Sequence, residues 1–600
     1  MSVIHLSKII FEQAKKYGDR EELFTRNDDT KTWNPISWNS FASQVQATAR
    51  ALIAVGVKPQ SNVGIYAQNT AESFYVDFAN YAVRAVSIPM FATASISQIA
   101  YIIGDAEIET LFVGEQLQYD NAVAACAKTS TLKRIIVFDK KVQLHNNSIA
   151  FYFSDFQDLG SAKRDAEISQ RQKDASPDDL AIIMYTSGTT GEPKGVMLHH
   201  SNFIEAMRIH DHALPTFSEN DRSIAFLPLS HIFERAWCYY CLYTGAKIYI
   251  NLRPQEVQTA IREIRPTVMC SVPRFWEKVY IGVREKVDAY SPLMKGVVTW
   301  ALALGEIYNL NYLRLEKKPP LWLKLRYKLV DKLIFSKVKK TIGIENANFF
   351  PVAGAALDDT INIFLRSMGV PIIIGYGLTE TTATVTCFRG TQYQIGSVGI
   401  AMTDIQIKIG EDNEILLKGK TITNGYYKKP ETTKAAFTND GWFRTGDAGK
   451  LDKAGNLTIV ERIKDLFKTS NGKYIAPQQI EMKLGSNKYI DQTAVIGDQR
   501  NYVTAIIVPA MDEVKKIAAS KNIRFEISDE LLVHPEIISF YKQLIDTLQQ
   551  EMASYEKIKK FALIKKGFTI ESGEMTSTLK LRRAVIMQNY KRLIEEMYKN

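Results

Sequence analysis

Eleven consecutive residues, Tyr185-Thr186-Ser187-Gly188-Thr189-Thr190-Gly191-Glu192-Pro193-Lys194-Gly195, hold three glycines, four aliphatic hydroxyls and one lysine. Glycines let a backbone fold closely around an anion, the hydroxyls donate hydrogen bonds, and the lysine adds a fixed positive charge, which together suit a polyphosphate. The apolar runs 180–184 and 196–198 on either side read as strands, so the loop joins two strands. It is not a Walker A loop: the Gly-x-x-x-x-Gly-Lys-Ser/Thr spacing is absent and no helix opens from it. A Gly/Ser/Thr-rich surface turn explains any three or four of these residues but poorly explains the whole run between strands.

Other segments add chemistry at a distance. Ile374-Gly375-Tyr376-Gly377-Leu378-Thr379-Glu380-Thr381 follows an apolar run. Its glycines permit a sharp turn that offers an aromatic face and backbone to a planar base, with a hydroxyl and a carboxylate close behind. Gly441-Trp442-Phe443-Arg444-Thr445-Gly446-Asp447 sets a carboxylate beside a glycine, where a tight turn would aim it. Gly354-Ala355-Ala356-Leu357 is a run of small residues, Glu461-Arg462-Ile463-Lys464-Asp465 a charged stretch, and Glu574 to Arg583 a C-terminal segment carrying Lys580. Alone, each is more economically a turn or a solvated face.

In this order the segments resemble the adenylate-forming enzymes, the superfamily of acyl-CoA synthetases, luciferase and peptide-synthetase adenylation domains, over nearly the whole chain. The resemblance implies that Thr186, Ser187, Gly188, Thr189, Thr190, Gly191 and Lys194 cradle the phosphates of ATP. It implies that Gly354, Ala355 and Ala356 make room beside adenine, that Tyr376 lies against it with Gly377, that Thr379 touches the α-phosphate, and that Glu380 holds Mg²⁺. Asp447 and Arg462 would take the ribose, and Lys464 would be the hinge of a mobile C-terminal domain. Gly472, Lys473 and Tyr474 would border the channel for coenzyme A. Lys580 would reach the region between acyl carboxylate and α-phosphate, although the commoner Pro-x-x-Gly-Lys form is not present. Leu227-Pro228-Leu229-Ser230-His231-Ile232-Phe233-Glu234-Arg235 looks most like the long-chain fatty acyl-CoA synthetases. His231 joins Lys194, Thr379 and Lys580 as a catalytic candidate.

The implied reaction activates a fatty acid with Mg-ATP as an acyl-adenylate and passes the acyl group to coenzyme A. An acyl-AMP ligase serving a carrier protein, and a non-catalytic nucleotide- or lipid-binding protein, stand as alternatives. No aspartate follows 226–237 to pair with an amino group, and its apolar and aromatic residues suit an uncharged chain. Cys238 and Cys241 have C-x-x-C spacing but no second cysteine pair, so they read as two buried cysteines.

The elements that must bring these segments together follow from periodicity. Strands at 63–66, 85–88, 110–113 and 135–138 alternate with helical patterns such as 71–84 and 96–103, which predicts parallel βαβ sheet. Short alternating strands after 400, at 405–409 and 414–417, predict a β-rich subdomain. The expected class is α/β: a large N-terminal adenylation domain over 1–461 and a small mobile α+β domain over 462–600, with strands near 493–496 and 504–508.

At 600 residues, 46% hydrophobic and 23% charged, the chain has the balance of a multidomain globular enzyme. No secretory leader is visible in Met1 to Lys8, no apolar run is long enough to span a bilayer, and five cysteines fit a reducing compartment, so a cytoplasmic location is expected. The net charge of +10 is concentrated: ten lysines and arginines against Glu316 and Asp331 lie within 314–340, interleaved with leucines and aromatics. That basic amphipathic pattern suits peripheral contact with an anionic membrane, or a solvated helix packed on its own protein, and argues against nucleic acid. Oligomeric state is open.

Overall fold

The computed structural model describes residues 4–27, 29–186, 193–388, 390, 393–470, 474–576 and 580–599. Its largest sheet has seven strands: Ala150–Tyr152, Arg134–Val137, Thr110–Val113, Asn62–Tyr66, Val86–Met90, Leu180–Thr186 and Lys194–His199, in that spatial order. All neighbours are parallel except the last pair, which is antiparallel. The expected parallel sheet therefore carries one antiparallel edge, and the phosphate-loop segment connects that edge pair. The helix Ala71–Ala82 starts at Thr70, whose hydroxyl accepts from the Ser73 N–H, and it is buried on nearly every side between layers.

A second sheet contains Phe350–Val352, Ile372–Leu378, Ala383–Cys387 and Ile400–Ala401, and a third, wholly antiparallel, contains Gln406–Ile409, Glu414–Lys418, Phe443–Leu451 and Leu457–Arg462. A four-stranded sheet built from Glu21–Arg26, Trp33–Ser37, Arg222–Ala225 and Lys247–Ile250 closes the N-terminal part. Beyond residue 462, the strands Ile490–Ile496, Val503–Pro509 and Ile558–Leu563 form a separate sheet covered by helices, with its own apolar core around Ile507, Val514, Ile537 and Tyr541.

The helix Ile232–Thr244 packs against the strands Arg222–Ala225 and Lys247–Ile250 and against Ala383–Cys387 of the second sheet, and is buried on most sides. His231 caps its start and Gly245, at φ 87°, ends it in the left-handed region that glycine enters at no steric cost. Inside, Arg235 pairs with Asp77 Oδ2, and the Tyr239 hydroxyl donates to the same oxygen at 2.9 Å, so the buried ion pair is hydrogen-bonded on that side. Cys238 and Cys241 are buried and free on this helix. Among the described residues no helix is long and apolar enough to cross a membrane.

Candidate active site

Asp447 is the centre of a buried polar cluster. The Tyr376 hydroxyl donates to its Oδ2 at 2.6 Å, and Arg462 Nε lies 3.3 Å from its Oδ1. Register accounts for the second contact: Asp447 and Arg462 face each other across the Phe443–Leu451 and Leu457–Arg462 strands. The first contact crosses from one sheet to another. Asp447 is only 4% exposed, and its own N–H donates to Thr445 Oγ1 at 3.1 Å. Burial and the adjacent carboxylate push the Tyr376 phenol well above its ordinary range, which keeps it a donor.

Tyr376 does not lie in a turn, as its flanking glycines suggest, but within the strand Ile372–Leu378. The glycine at 377 serves close approach instead. A Cβ there would fall 1.3 Å from the Ala383 carbonyl oxygen, where the chain doubles back through Thr382 and Ala383 in left-handed conformations. Asp447 likewise lies in a strand, with Gly446 before it at φ 69°.

Glu380 follows in the short turn Thr379–Thr381, where Thr379 is half-buried. Its Oε1 accepts from the Tyr426 hydroxyl at 2.9 Å, and its carbonyl accepts from the Thr423 N–H at 2.7 Å. Lys194 opens the strand Lys194–His199 opposite Thr186, and its Nζ sits 5.3 Å from the Tyr426 ring centroid. The segment 425–427 is bonded to that strand, Met197 N–H to the Gly425 carbonyl and Tyr427 N–H to the Gly195 carbonyl. Tyr426 thus joins the lysine of the phosphate loop to the acidic turn. Nothing in the sequence marks it, because its partner is 46 residues away.

Arg462 ties the two halves together. Burial opposes its charge, but the Asp447 and Glu380 carboxylates outweigh that and raise its pKa. Lys580 reaches the same place from the C-terminal domain. It lines a solvent-open cleft whose walls lower its pKa by desolvation; Arg462 lowers it further, and Asp447, Asp465 and Glu461 raise it. Its charge also reaches His231, whose pKa burial lowers first and Lys580 second, to about 4. His231 is therefore neutral at physiological pH. Its Nδ1 accepts from the Phe233 N–H at 3.2 Å, so Nε2 carries the ring proton as a donor.

Lys194, Tyr376, Thr379, Glu380, Asp447, Arg462, Lys580 and His231, from six separated segments, thus converge on one cleft. Gly354, Ala355 and Ala356 are exposed just past the Phe350–Val352 strand. Lys464 is exposed in the turn after Arg462. Ser187, Gly188, Thr189, Thr190, Gly191, Gly472 and Lys473 lie outside the described residues. Among the described residues no three acidic, histidine or cysteine side chains cluster to hold a metal. The single carboxylate of Glu380, beside a lysine suited to phosphate, fits Mg²⁺, which takes most ligands from water and substrate phosphates.

Two small, adjoining and partly open cavities lie between the helices His200–Ala213 and Ile232–Thr244 and the second sheet. Both are lined by His210, Phe233, Trp237 and Thr384, the first also by Met207 and Tyr240 and the second by Ala353 and Gly375. Ile373 and Gly375 line the second cavity from one face of the strand Ile372–Leu378, and Tyr376 reaches Asp447 from the same strand. His210 is its most polar wall; burial lowers the pKa of this ring and Nδ1 bonds the Ala206 carbonyl, leaving a neutral side chain.

Two predictions arise here. Tyr426→Phe removes a hydrogen bond to a carboxylate, a contact worth about 1.5–3 kcal/mol. ATP–pyrophosphate exchange should slow by about ten- to a hundredfold, with a raised Mg²⁺ requirement; an unchanged Mg²⁺ titration would detach Tyr426 from the site. The second concerns Glu461, which is 4% exposed and joins the domains, its Oε2 accepting from the Gln478 N–H at 2.9 Å. Burial pushes its carboxyl up to about 7, against hydrogen bonds from the Gln478 and Arg462 N–H groups and the charge of Arg583. The folded state holds this proton more tightly than the unfolded chain, so stability is fullest below about pH 4.5 and is lost as pH rises towards 7. Urea melts should show a loss of roughly 2–3 kcal/mol over that window in the wild type. Glu461→Gln should lack this component, and identical pH slopes would refute it.

Comparison with known proteins gives the family of the chain. The family model described as AMP-binding enzyme matches residues 10–427, and that of the AMP-binding enzyme C-terminal domain matches 464–600. A long-chain-fatty-acid–CoA ligase of Mycobacterium bovis is 29% identical, with 99% of this chain and 97% of that protein covered. Fatty acyl-CoA synthetase A of Dictyostelium discoideum is 28% identical, over 97% of this chain and 88% of that one. In solved structures, the adenylation domain of a carboxylate reductase from Mycobacterium chelonae matches with a TM-score of 0.76 at 22% identity, covering 100% of this chain and 92% of that chain, and so shares the fold. The cleft's residues and the match over most of the chain lead to one conclusion: this chain belongs to the AMP-binding enzymes.

Proposed function

We propose that this chain activates a long-chain fatty acid with ATP and transfers the acyl group to coenzyme A. A carboxylate oxygen of the acid attacks the α-phosphorus, the bond to the bridging oxygen breaks, and pyrophosphate leaves. The thiolate of coenzyme A then attacks the acyl carbon, and AMP leaves on its phosphate oxygen. In the first step Lys194 faces the departing phosphates, Lys580 the charge between carboxylate and α-phosphate, and Tyr376, Asp447 and Arg462 the nucleoside. Mg²⁺, held by Glu380 when bound, would neutralise phosphate charge. Thr379 and the neutral Nε2–H of His231 would orient the reacting oxygens. The second step needs Lys580 withdrawn by rotation about Lys464, bringing the region of Gly472 and Lys473 to the thiol.

The observation that carries this reading is that one strand, Ile372–Leu378, lines the apolar space with Ile373 and Gly375 and bears Tyr376 of the polar cluster, so that an alkyl chain and a nucleotide would both be held by it. The names of the full-length relatives support the fatty acid and coenzyme A in particular. A cytoplasmic enzyme touching the inner membrane face through 314–340 belongs to the same proposal. Pyrophosphate release should depend on added acid and rise with chain length, and free thiol should then disappear from added coenzyme A. Pyrophosphate release without thiol loss would favour a carrier-protein acceptor, and no release with any acid would end the proposal.

A further inference from the structure

We infer that the outer face of the helices Pro292–Glu306 and Leu321–Val330, with its continuation to Phe335, is a docking surface for an anionic lipid bilayer. It rests on the peripheral contact proposed above and replaces a basic segment by a defined apolar face with a cationic border.

The helix from 321 onward has two apolar stripes. Leu323, Tyr327, Val330 and Ile334 face the protein; Leu323 and Val330 are 1% and 3% exposed, and Tyr327 stacks on Tyr308 at 4.1 Å. The second stripe points the other way. Leu321, Leu325, Leu329 and Leu333, spaced by four, are 71%, 60%, 57% and 51% exposed, and Trp322 beside them is 55% exposed. A helix that serves only its own protein needs one stripe. The adjoining helix adds Leu293 and Trp300 at 83% and 48% on its N-terminal half, before Ala301 is buried. Contiguous apolar exposure on this scale marks an interaction site.

The border decides what it binds. Lys324, Lys328 and Lys332 run along one side of the exposed stripe and Arg326 along the other, all exposed, with Lys317 and Lys318 just before the helix. Arg326 lies over the Trp322 ring at 5.4 Å. A second copy of this chain would bring like charges together around a two-fold axis, which costs affinity. Headgroup phosphates complement the border while acyl chains take the leucines, and tryptophan suits the interface between them. The face rests on a firm base: at Gly305 a Cβ would lie 2.1 Å from the Ser367 carbonyl oxygen, so the helix is pressed against its neighbour.

The full chain would be sedimented with vesicles of phosphatidylcholine, with and without phosphatidylglycerol. One variant combines Trp322→Ser, Leu325→Ser and Leu329→Ser; another combines Lys324→Gln, Lys328→Gln and Lys332→Gln. The wild type should partition into anionic vesicles in a salt-sensitive way, and each variant should bind about tenfold or more weakly. Both should convert detergent-dispersed acid as the wild type does. Unchanged sedimentation of both variants would overturn the inference. So would absence of wild-type vesicle binding, or a dimer in light scattering that the serine variant dissociates without any vesicle affinity. Vesicle binding by a protein that activates no acid would leave this surface standing and remove the ligase reading.

Discussion

Lys580→Ala will slow acyl-adenylate formation by about 10²- to 10³-fold, the usual cost of removing one preorganised charge-stabilising donor, while thioester formation from a supplied acyl-adenylate stays near wild type. Lys580 is a C-terminal-domain cation whose charge is felt both at His231 and among Asp447 and Arg462. Its cleft lowers its pKa but sets it beside three carboxylates that favour the ammonium. Attack on the α-phosphorus builds negative charge where a lysine can neutralise it, and the mechanism proposed above has the later transfer take place with this residue swung away. ATP–pyrophosphate exchange measures the first step alone, and thiol consumption from the preformed adenylate the second. Loss of the second with the first intact would reverse the roles.

Gly377→Ala will abolish adenylation. The added methyl meets a backbone carbonyl at 1.3 Å, and no flexible side chain can move to admit it. Either the 372–378 strand separates from the chain at 383, or the left-handed pair Thr382 and Ala383 must change conformation. Both displace Glu380, which is carried on the intervening turn, and Tyr376, whose hydroxyl holds Asp447. Strain of this kind costs about 1–3 kcal/mol or more, so the melting temperature should fall while far-ultraviolet circular dichroism keeps its shape. Gly354→Ala serves as a contrast. Its nearest neighbour would be a Val272 methyl at 3.7 Å, so it should show only the smaller penalty of a φ of 92°. Equal activity in Gly377→Ala and wild type would remove close backbone approach from the account.

A contact is legible in the amino-acid sequence to the extent that it is local. The strand pairs around the phosphate loop follow from apolar runs flanking 185–195, and the residues of each segment carry their chemistry on their face. Tyr376 and Asp447 can each be picked out, but their hydrogen bond joins two sheets over 71 positions and no periodicity announces it. Glycines at 375 and 377 suggest a turn because turns are where glycine is commonest; at 377 the reason is a carbonyl that arrives from elsewhere in the chain. Tyr426 carries no motif at all, and its role comes from the pairing of 425–427 with the Lys194 strand. The basic segment at 314–340 is visible as composition, whereas its division into a buried and an exposed apolar stripe depends on which side the body of the protein takes.

The central claim is that nucleotide cleft and apolar space are one continuous site joined at Gly375 and Tyr376. Calorimetric titration with a stable long-chain acyl-sulfamoyl adenosine tests it most directly. The joined molecule should bind at least about a hundredfold more tightly than AMP or the free acid, because the second half docks at high effective concentration, and either half should compete for it. An affinity no better than that of AMP, undisturbed by the acid, would mean that the two spaces do not meet.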